Sequence, residues 1–118
     1  MSDIDLAVTR SRKLEQMLER DFGAVGRGLH EKTSSIENRL PEPLVRKLRL
    51  VATVRNKVLH EEGPIDDRRR FVAAADEAER ALKALKRRRR PGPRRLVWAV
   101  AVLLMAIILI ATWVLLRP

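Results

Sequence analysis

One uninterrupted apolar segment near the C-terminus constrains this chain more than any other feature. Residues Leu96–Leu116, LVWAVAVLLMAIILIATWVLL, number 21, and Thr112 is their only non-apolar member. As an α-helix this segment spans about 31 Å, which matches the roughly 30 Å hydrocarbon core of a bilayer. Apolar core helices of soluble proteins rarely exceed about 14 unbroken residues. The sequence therefore predicts a single transmembrane helix over residues 96–116.

The two tryptophans and the N-terminus support this interpretation. Trp98 and Trp113 lie close to the two ends of the apolar segment, where aromatic side chains anchor helices at the membrane interface. The N-terminal sequence MSDIDLAV is acidic and has no apolar stretch of the kind found in signal peptides. We therefore expect a membrane anchor at the C-terminal end of the sequence.

The positive charge is concentrated beside the apolar segment. Residues 1–84 contain 17 basic and 15 acidic side chains, whereas residues 85–118 contain 8 basic side chains and no acidic one. Seven of those eight precede the apolar segment: Lys86, Arg87, Arg88, Arg89, Arg90, Arg94 and Arg95. Only Arg117 follows it. By the positive-inside rule, the N-terminal part is predicted to be cytoplasmic and the C-terminus to lie across the membrane.

These basic residues have three interpretations. They can set membrane topology and bind anionic lipid, hold RNA beside the membrane, or form a processing or localisation signal. The first interpretation explains their position best, and it is compatible with the second. We expect lipid or phosphate contacts from this segment.

Residues 1–85 show helical periodicity and no period-two alternation. Ser2 or Asp3 can cap a first helix that ends near Gly23, and a second is expected over residues 29–40. A third follows Pro41 and ends near Gly63, and Asp66 or Asp67 caps a fourth. The sequence predicts an all-α protein: a four-helix bundle over 1–85, a polybasic linker over 86–95, and the transmembrane helix.

Composition excludes several kinds of site. The chain has no cysteine and two histidines without metal-ligand spacing, so we predict no metal and no cofactor. Phe22 and Phe71 are the only aromatic residues outside the apolar segment, too few for a platform that stacks single-stranded bases. The run Thr33-Ser34-Ser35 has no visible base or oxyanion partner and is interpreted as solvated helix surface.

The most informative polar residues are Arg55, Asn56 and His60, at the C-terminal end of the third helix. Arginine and histidine are the side chains expected for binding a phosphate and transferring a proton near neutral pH. Five residues of ideal helix place Arg55 and His60 about 140° apart, so they do not converge within one straight helix. Asn56 and His60, four residues apart, share a face. His60 can alternatively act as a cation that stabilises the helix C-terminus.

The sequence Arg55-Asn56-x-x-x-His60 at the end of an apolar helix resembles the R-x(4–6)-H motif of the HEPN superfamily. The order of predicted helices over about residues 10–85 is also similar. This resemblance implies a bundle that dimerises through the motif helices, so that two Arg-His pairs share one cleft. It further implies a metal-independent ribonuclease of toxin or defence type, in which His60 is the acid/base, Arg55 binds the phosphate and Asn56 orients the site.

A different class of function fits the same residues. Many HEPN-like proteins are non-catalytic, and Arg55, Asn56 and His60 would then tie the helix end to a neighbour or to a second copy. The chain would be a helical interaction or oligomerisation module tethered to the membrane. The expected partners are a second copy of the chain, anionic lipid, RNA in the catalytic case, and a protein encoded by a neighbouring gene.

Overall fold

The computed structural model describes residues 2–61, 63–89 and 93–117, and most of them are helical. Within these ranges the chain forms five α-helices and no strand, which confirms the predicted all-α class. The helices are α1 Asp3–Phe22, α2 Leu29–Ile36, α3 Glu42–Glu61, α4 Arg68–Arg89 and α5 Pro93–Leu115, and a 3₁₀ turn covers Glu37–Arg39. The chain divides into two compact units, Met1–Lys86 and Arg87–Pro118.

Local sequence signals explain both ends of α1. The Ser2 hydroxyl accepts a hydrogen bond from the backbone N–H of Asp5 at 3.1 Å, as expected of an N-cap. At the other end Gly23 adopts a left-handed conformation with φ 67°, and its N–H donates to the Glu19 carbonyl at 3.1 Å. This 5→1 hydrogen bond is the αL C-cap motif, and the N–H of Ala24 also donates to the Leu18 carbonyl at 3.1 Å. The predicted break at Gly23 is confirmed.

The second helix is shorter than the sequence predicted. It was expected to run to Leu40, but α2 ends at Ile36 and the chain continues as the 3₁₀ turn. Leu40 is extended, with φ −110° and ψ 144°, because the ring of Pro41 disfavours the α conformation in the residue before it. Helix α3 then begins at Glu42, with Pro43 in its first turn.

A single hydrophobic core joins the four helices of the first unit. Helix α1 packs against α2 and α3, and α4 contributes Phe71, Ala75, Ala78 and Leu82 to the same core. Apolar side chains that recur at helical spacing from α1 to α3 are buried there: Ala7, Leu14, Leu18, Phe22, Leu29, Ile36, Leu40, Leu44, Leu48, Val51 and Val58. Met17, Val54 and Leu85 have the same spacing and are partly buried against this core. Periodicity therefore identified most of the apolar residues that hold the bundle together.

Charged side chains bind α4 to α1 at the edge of this core. Glu79 is only 7% exposed and lies 3.1 Å from both Arg10 Nη2 and Lys13 Nζ. Arg10 and Glu79 form an ion pair, but their geometry is not that of a hydrogen bond to Glu79 Oε1. Arg10 also donates to Asp76, and this hydrogen bond holds the pKa of the Asp76 carboxyl below its usual value. A carboxylate as deeply buried as that of Glu79 needs cationic partners, and both of its partners come from α1.

The second unit contains one apolar helix. Within α5, Leu96–Leu115 has a mean hydropathy of 2.7, is buried nowhere by the rest of the described chain, and is long and apolar enough to cross a membrane. Helix α4 continues to Arg89, so the first four residues of the predicted linker are helical. Residues 90–92 of that linker lie outside the described residues, and Arg94 and Arg95 belong to the first turns of α5.

Candidate functional site

Arg55, Asn56 and His60 lie on the last turns of α3. The guanidinium of Arg55 donates to Asn56 Oδ1 at 3.1 Å, and both side chains are half-buried. His60 is exposed, and among the described residues its imidazole has no hydrogen-bond or ion-pair partner. Within this part of one chain, therefore, none of the three side chains ties the end of α3 to another helix.

The spacing along α3 separates Arg55 from His60. Arg55 follows the fully buried residues Leu48 and Val51 by seven and four positions, so it continues the side of the helix that faces the core. His60 follows the exposed Thr53 by seven positions, on the side that faces solvent. One copy of the chain does not bring the guanidinium and the imidazole together. A common cleft for both requires a second copy.

A polar cluster that sequence reasoning missed lies between α2 and α3. Arg49 Nη1 is 3.2 Å from His30 Nδ1, and Arg49 Nη2 donates to Ser34 Oγ at 2.8 Å and to Glu37 Oε2 at 3.1 Å. Thr53 Oγ1 lies 3.4 Å from the other ring nitrogen of His30. The sequence did show that His30, Ser34 and Glu37 share one helix face and that Arg49 and Thr53 share another, because their spacings are three or four residues. Only the packing of α2 on α3 shows that these faces meet.

The environment of His30 favours its neutral form. Burial of the half-buried ring lowers its pKa below the usual 6.5, and the Arg49 guanidinium lowers it further. Since a guanidinium only donates, Nδ1 of His30 accepts from Arg49 and the ring proton is assigned to Nε2, beside Thr53. This contact between His30 and Arg49 holds the N-terminal turn of α2 against α3.

This pairing predicts a pH-dependent stability. As the pH falls through about 6.5, the unfolded chain protonates His30 before the folded chain does, so the free energy of unfolding decreases and then levels off below the lowered pKa. Replacing His30 with glutamine should flatten this dependence between about pH 7.5 and about pH 5, measured as the midpoint of urea unfolding by far-UV circular dichroism. His60→Gln is the matched control and should retain the wild-type slope. An unchanged slope in His30→Gln would contradict the assignment.

The expectation that Thr33-Ser34-Ser35 is a solvated surface was wrong for Thr33, whereas Ser34 and Ser35 are exposed. Thr33 is fully buried, and its hydroxyl donates to the Leu29 carbonyl at 2.7 Å. Ser34 accepts from Arg49, and Ser35 accepts from the backbone N–H of Val25 at 3.1 Å. Thr33 lies four residues after Leu29 and three before Ile36, both buried, so it falls on the core side of α2. The buried hydroxyl of Thr33 is tolerated because the Leu29 carbonyl accepts its hydrogen bond.

A depression of about 480 Å³ lies between α3 and α4, with basic side chains around it. We call it the cationic groove and define it by its lining residues: Pro43, Arg46, Lys47, Arg49, Leu50, Thr53 and Arg70. None of these residues is acidic. Lys47 pairs with Glu77 at 3.0 Å and Arg49 with Glu37, whereas the guanidinium groups of Arg46 and Arg70 have no partner among the described residues. The groove therefore presents two uncompensated positive charges.

An apolar pocket adjoins this groove. It has a volume of about 250 Å³ and shares Leu50, Thr53 and Arg70 with the cationic groove. Lys57 and Asp66 form an ion pair at 2.8 Å on the lining of this pocket, and the hydrogen bond from Lys57 to Asp66 raises the pKa of Lys57. The two depressions together provide a charged region beside an apolar one.

The membrane-segment residues are largely open to their surroundings. Trp98 is 71% and Trp113 61% exposed, and the guanidinium of Arg117 lies 4.3 Å from the centre of the Trp113 ring. Arg87, Arg88 and Arg94 are exposed, but Lys86 pairs with Asp21 of α1 at 3.1 Å. Lys86 is therefore engaged within the bundle.

The described residues contain no group of three side chains able to hold a metal ion. We find no match to this chain among protein-family models, curated proteins or solved structures. The HEPN resemblance therefore rests on the sequence motif and helix order alone, and it stays a prediction.

Proposed function

We propose that this protein is a membrane-anchored helical module that holds its own oligomer, or a partner protein, at the cytoplasmic face of a membrane. The anchor is α5, whose length and hydropathy suit a bilayer, and the basic residues before it orient the bundle toward the cytoplasm. The observation that favours a non-catalytic module is the separation of Arg55 from His60 on opposite sides of α3. Among the described residues the Arg55 guanidinium makes one hydrogen bond, to its neighbour Asn56, and its remaining N–H donors are available to a second copy.

The second candidate is a HEPN-like, metal-independent endoribonuclease that acts as a dimer, in a toxin or defence role. The observation that favours it is the exposed His60 imidazole, which has no partner among the described residues and is free to accept or donate a proton. In this proposal two copies place Arg55, Asn56 and His60 around one cleft. Arg55 stabilises the scissile phosphate and His60 transfers the proton.

One experiment separates the two candidates. The full-length protein in detergent micelles is incubated with RNA and EDTA, and its oligomeric state is measured by light scattering. For the interaction module we expect no cleavage above background, and Arg55→Ala should shift the oligomer toward smaller species. Arg12→Ala removes an exposed arginine without a described partner and is the matched control, with no expected shift.

The opposite result identifies the nuclease. EDTA-resistant cleavage that falls by about 10²–10⁴ in His60→Ala would establish acid/base catalysis and reject the non-catalytic module. Cleavage that is undiminished in His60→Ala would reject the HEPN-like mechanism and indicate a contaminating activity.

A further inference from the structure

We propose that the cationic groove between α3 and α4 binds the phosphate of an anionic phospholipid, so that the bundle docks onto the membrane that anchors it. This is a lipid contact separate from the polybasic segment before α5. It rests on the proposed membrane anchoring, and it assigns a ligand to a surface that neither proposed function uses.

The charges of the groove are suited to a phosphate. Arg46 and Arg70 come from different helices and line the same depression, and none of the described residues that line it carries a carboxylate. Both guanidinium groups lack partners among the described residues, so they can bind a phosphate without breaking an existing ion pair. Two planar guanidinium groups can donate several hydrogen bonds to its oxygens. Arg49, which is held by Glu37 and Ser34, adds positive potential without moving.

The apolar part of the surface favours a lipid over a nucleic acid. Leu50 is half-buried and lines both the groove and the adjoining apolar pocket, and Pro43, which also lines the groove, is exposed. Apolar side chains beside cations match the glycerol and acyl region that lies below a lipid phosphate. Among the described residues that line the groove none is aromatic, so they offer no surface on which a base could stack. Phe71 lines the neighbouring pocket but is only 1% exposed.

The membrane anchor makes encounters between the cationic groove and lipid headgroups frequent. Residues 87–95 connect the bundle unit to the apolar stretch of α5, and even fully extended they would reach only about 30 Å. A surface held this close to a bilayer meets its headgroups as an intramolecular partner, so a weak site is occupied. The cytoplasmic leaflet is the anionic one, and its surface attracts arginine side chains within a Debye length.

The absence of cysteine from the chain permits a direct test. The full chain carrying Thr53→Cys is labelled with an environment-sensitive fluorophore and incorporated into phosphatidylcholine nanodiscs, with or without phosphatidylglycerol. Thr53 is exposed and lines both depressions. We expect a blue shift, and quenching by spin-labelled lipid, only in discs that contain phosphatidylglycerol. A label at Gln16→Cys, exposed on α1, should show neither change.

The arginines are tested by matched double variants. The double variant Arg46→Ala with Arg70→Ala should weaken the affinity of the groove for phosphatidylglycerol, measured by the response of the Thr53 label, roughly tenfold or more. Arg12→Ala with Arg20→Ala removes the same charge from the exposed surface of α1 and should leave docking within about twofold of wild type.

Each alternative outcome decides against the proposal. If the chain fails to co-elute with nanodiscs, the anchor and the groove proposal are both wrong. If it incorporates but the Thr53 label does not respond to phosphatidylglycerol, the groove proposal alone is wrong. An equal loss in both double variants would indicate bulk charge attraction. A blue shift of the Thr53 label on addition of an oligoribonucleotide, but not with phosphatidylglycerol, would identify the groove as a nucleic-acid site instead.

Discussion

Arginine at both Leu104 and Ile107 is expected to abolish membrane integration of the protein. The two positions flank the midpoint of the apolar stretch Leu96–Leu115, where each arginine disfavours insertion by about 2.5–3.5 kcal/mol. Leucine and isoleucine contribute only about −0.3 to −0.6 kcal/mol each, so a pair of arginines offsets most of the stretch. The measurement is the fraction that resists alkaline carbonate extraction, together with a reporter fused after Pro118. Both the resistant fraction and translocation of the reporter should be lost.

The control keeps the segment apolar. Leu104→Val with Ile107→Val should integrate like the wild type, with a reporter at Met1 in the cytoplasm and the one after Pro118 across the membrane. Carbonate-resistant protein in the double arginine variant would show that α5 is not the anchor. The inverted reporter pattern in the wild type would overturn the orientation inferred from the basic residues.

Phe71→Ala should remove most of the stability of the bundle. Phe71 is 1% exposed and belongs to the core that α4 shares with the other helices. Truncating a buried phenylalanine costs about 3–5 kcal/mol, against a total of about 5–15 kcal/mol for a typical domain. We expect the urea midpoint to fall by roughly 1–3 M. Far-UV circular dichroism is the appropriate probe, because both tryptophans lie in α5 and the chain has no tyrosine.

Val25→Ala provides the comparison for this core substitution. Val25 is 70% exposed in the loop after α1, so its truncation should change the free energy of unfolding by less than about 0.5 kcal/mol. If Phe71→Ala and Val25→Ala unfold at the same urea concentration, α4 does not share the core with the other helices.

Several elements could be predicted because their signals are local. Ser2 caps α1, Gly23 ends it, Pro41 precedes α3, and the Asp67 side chain accepts from the backbone N–H of Arg70 at 3.0 Å at the start of α4. Each of these residues acts on backbone groups within a few positions of itself. The end of α2 was predicted less well, since the proline that limits it acts through the extended Leu40 and allows a 3₁₀ turn before it.

The polar residues show where local signals stop being sufficient. The sequence singled out His60 because a motif surrounds it, yet the histidine that makes polar contacts in the described chain is His30. Arg49 is distant from His30 in sequence and becomes its neighbour only when α2 packs on α3. The same holds for Arg46 and Arg70, which line one groove although they belong to different helices.

By itself the sequence determined the helical class, the apolar C-terminal helix and the faces that each helix buries, because hydrophobic periodicity and end signals depend on neighbours along the chain. The tertiary structure alone decided which polar faces meet: the His30–Arg49 contact, the cationic groove, and the lack of a hydrogen bond or ion pair from the His60 side chain within the described chain. Those contacts depend on how helices pack through their buried faces, and packing brings together residues whose separation in sequence carries no record of their distance in space.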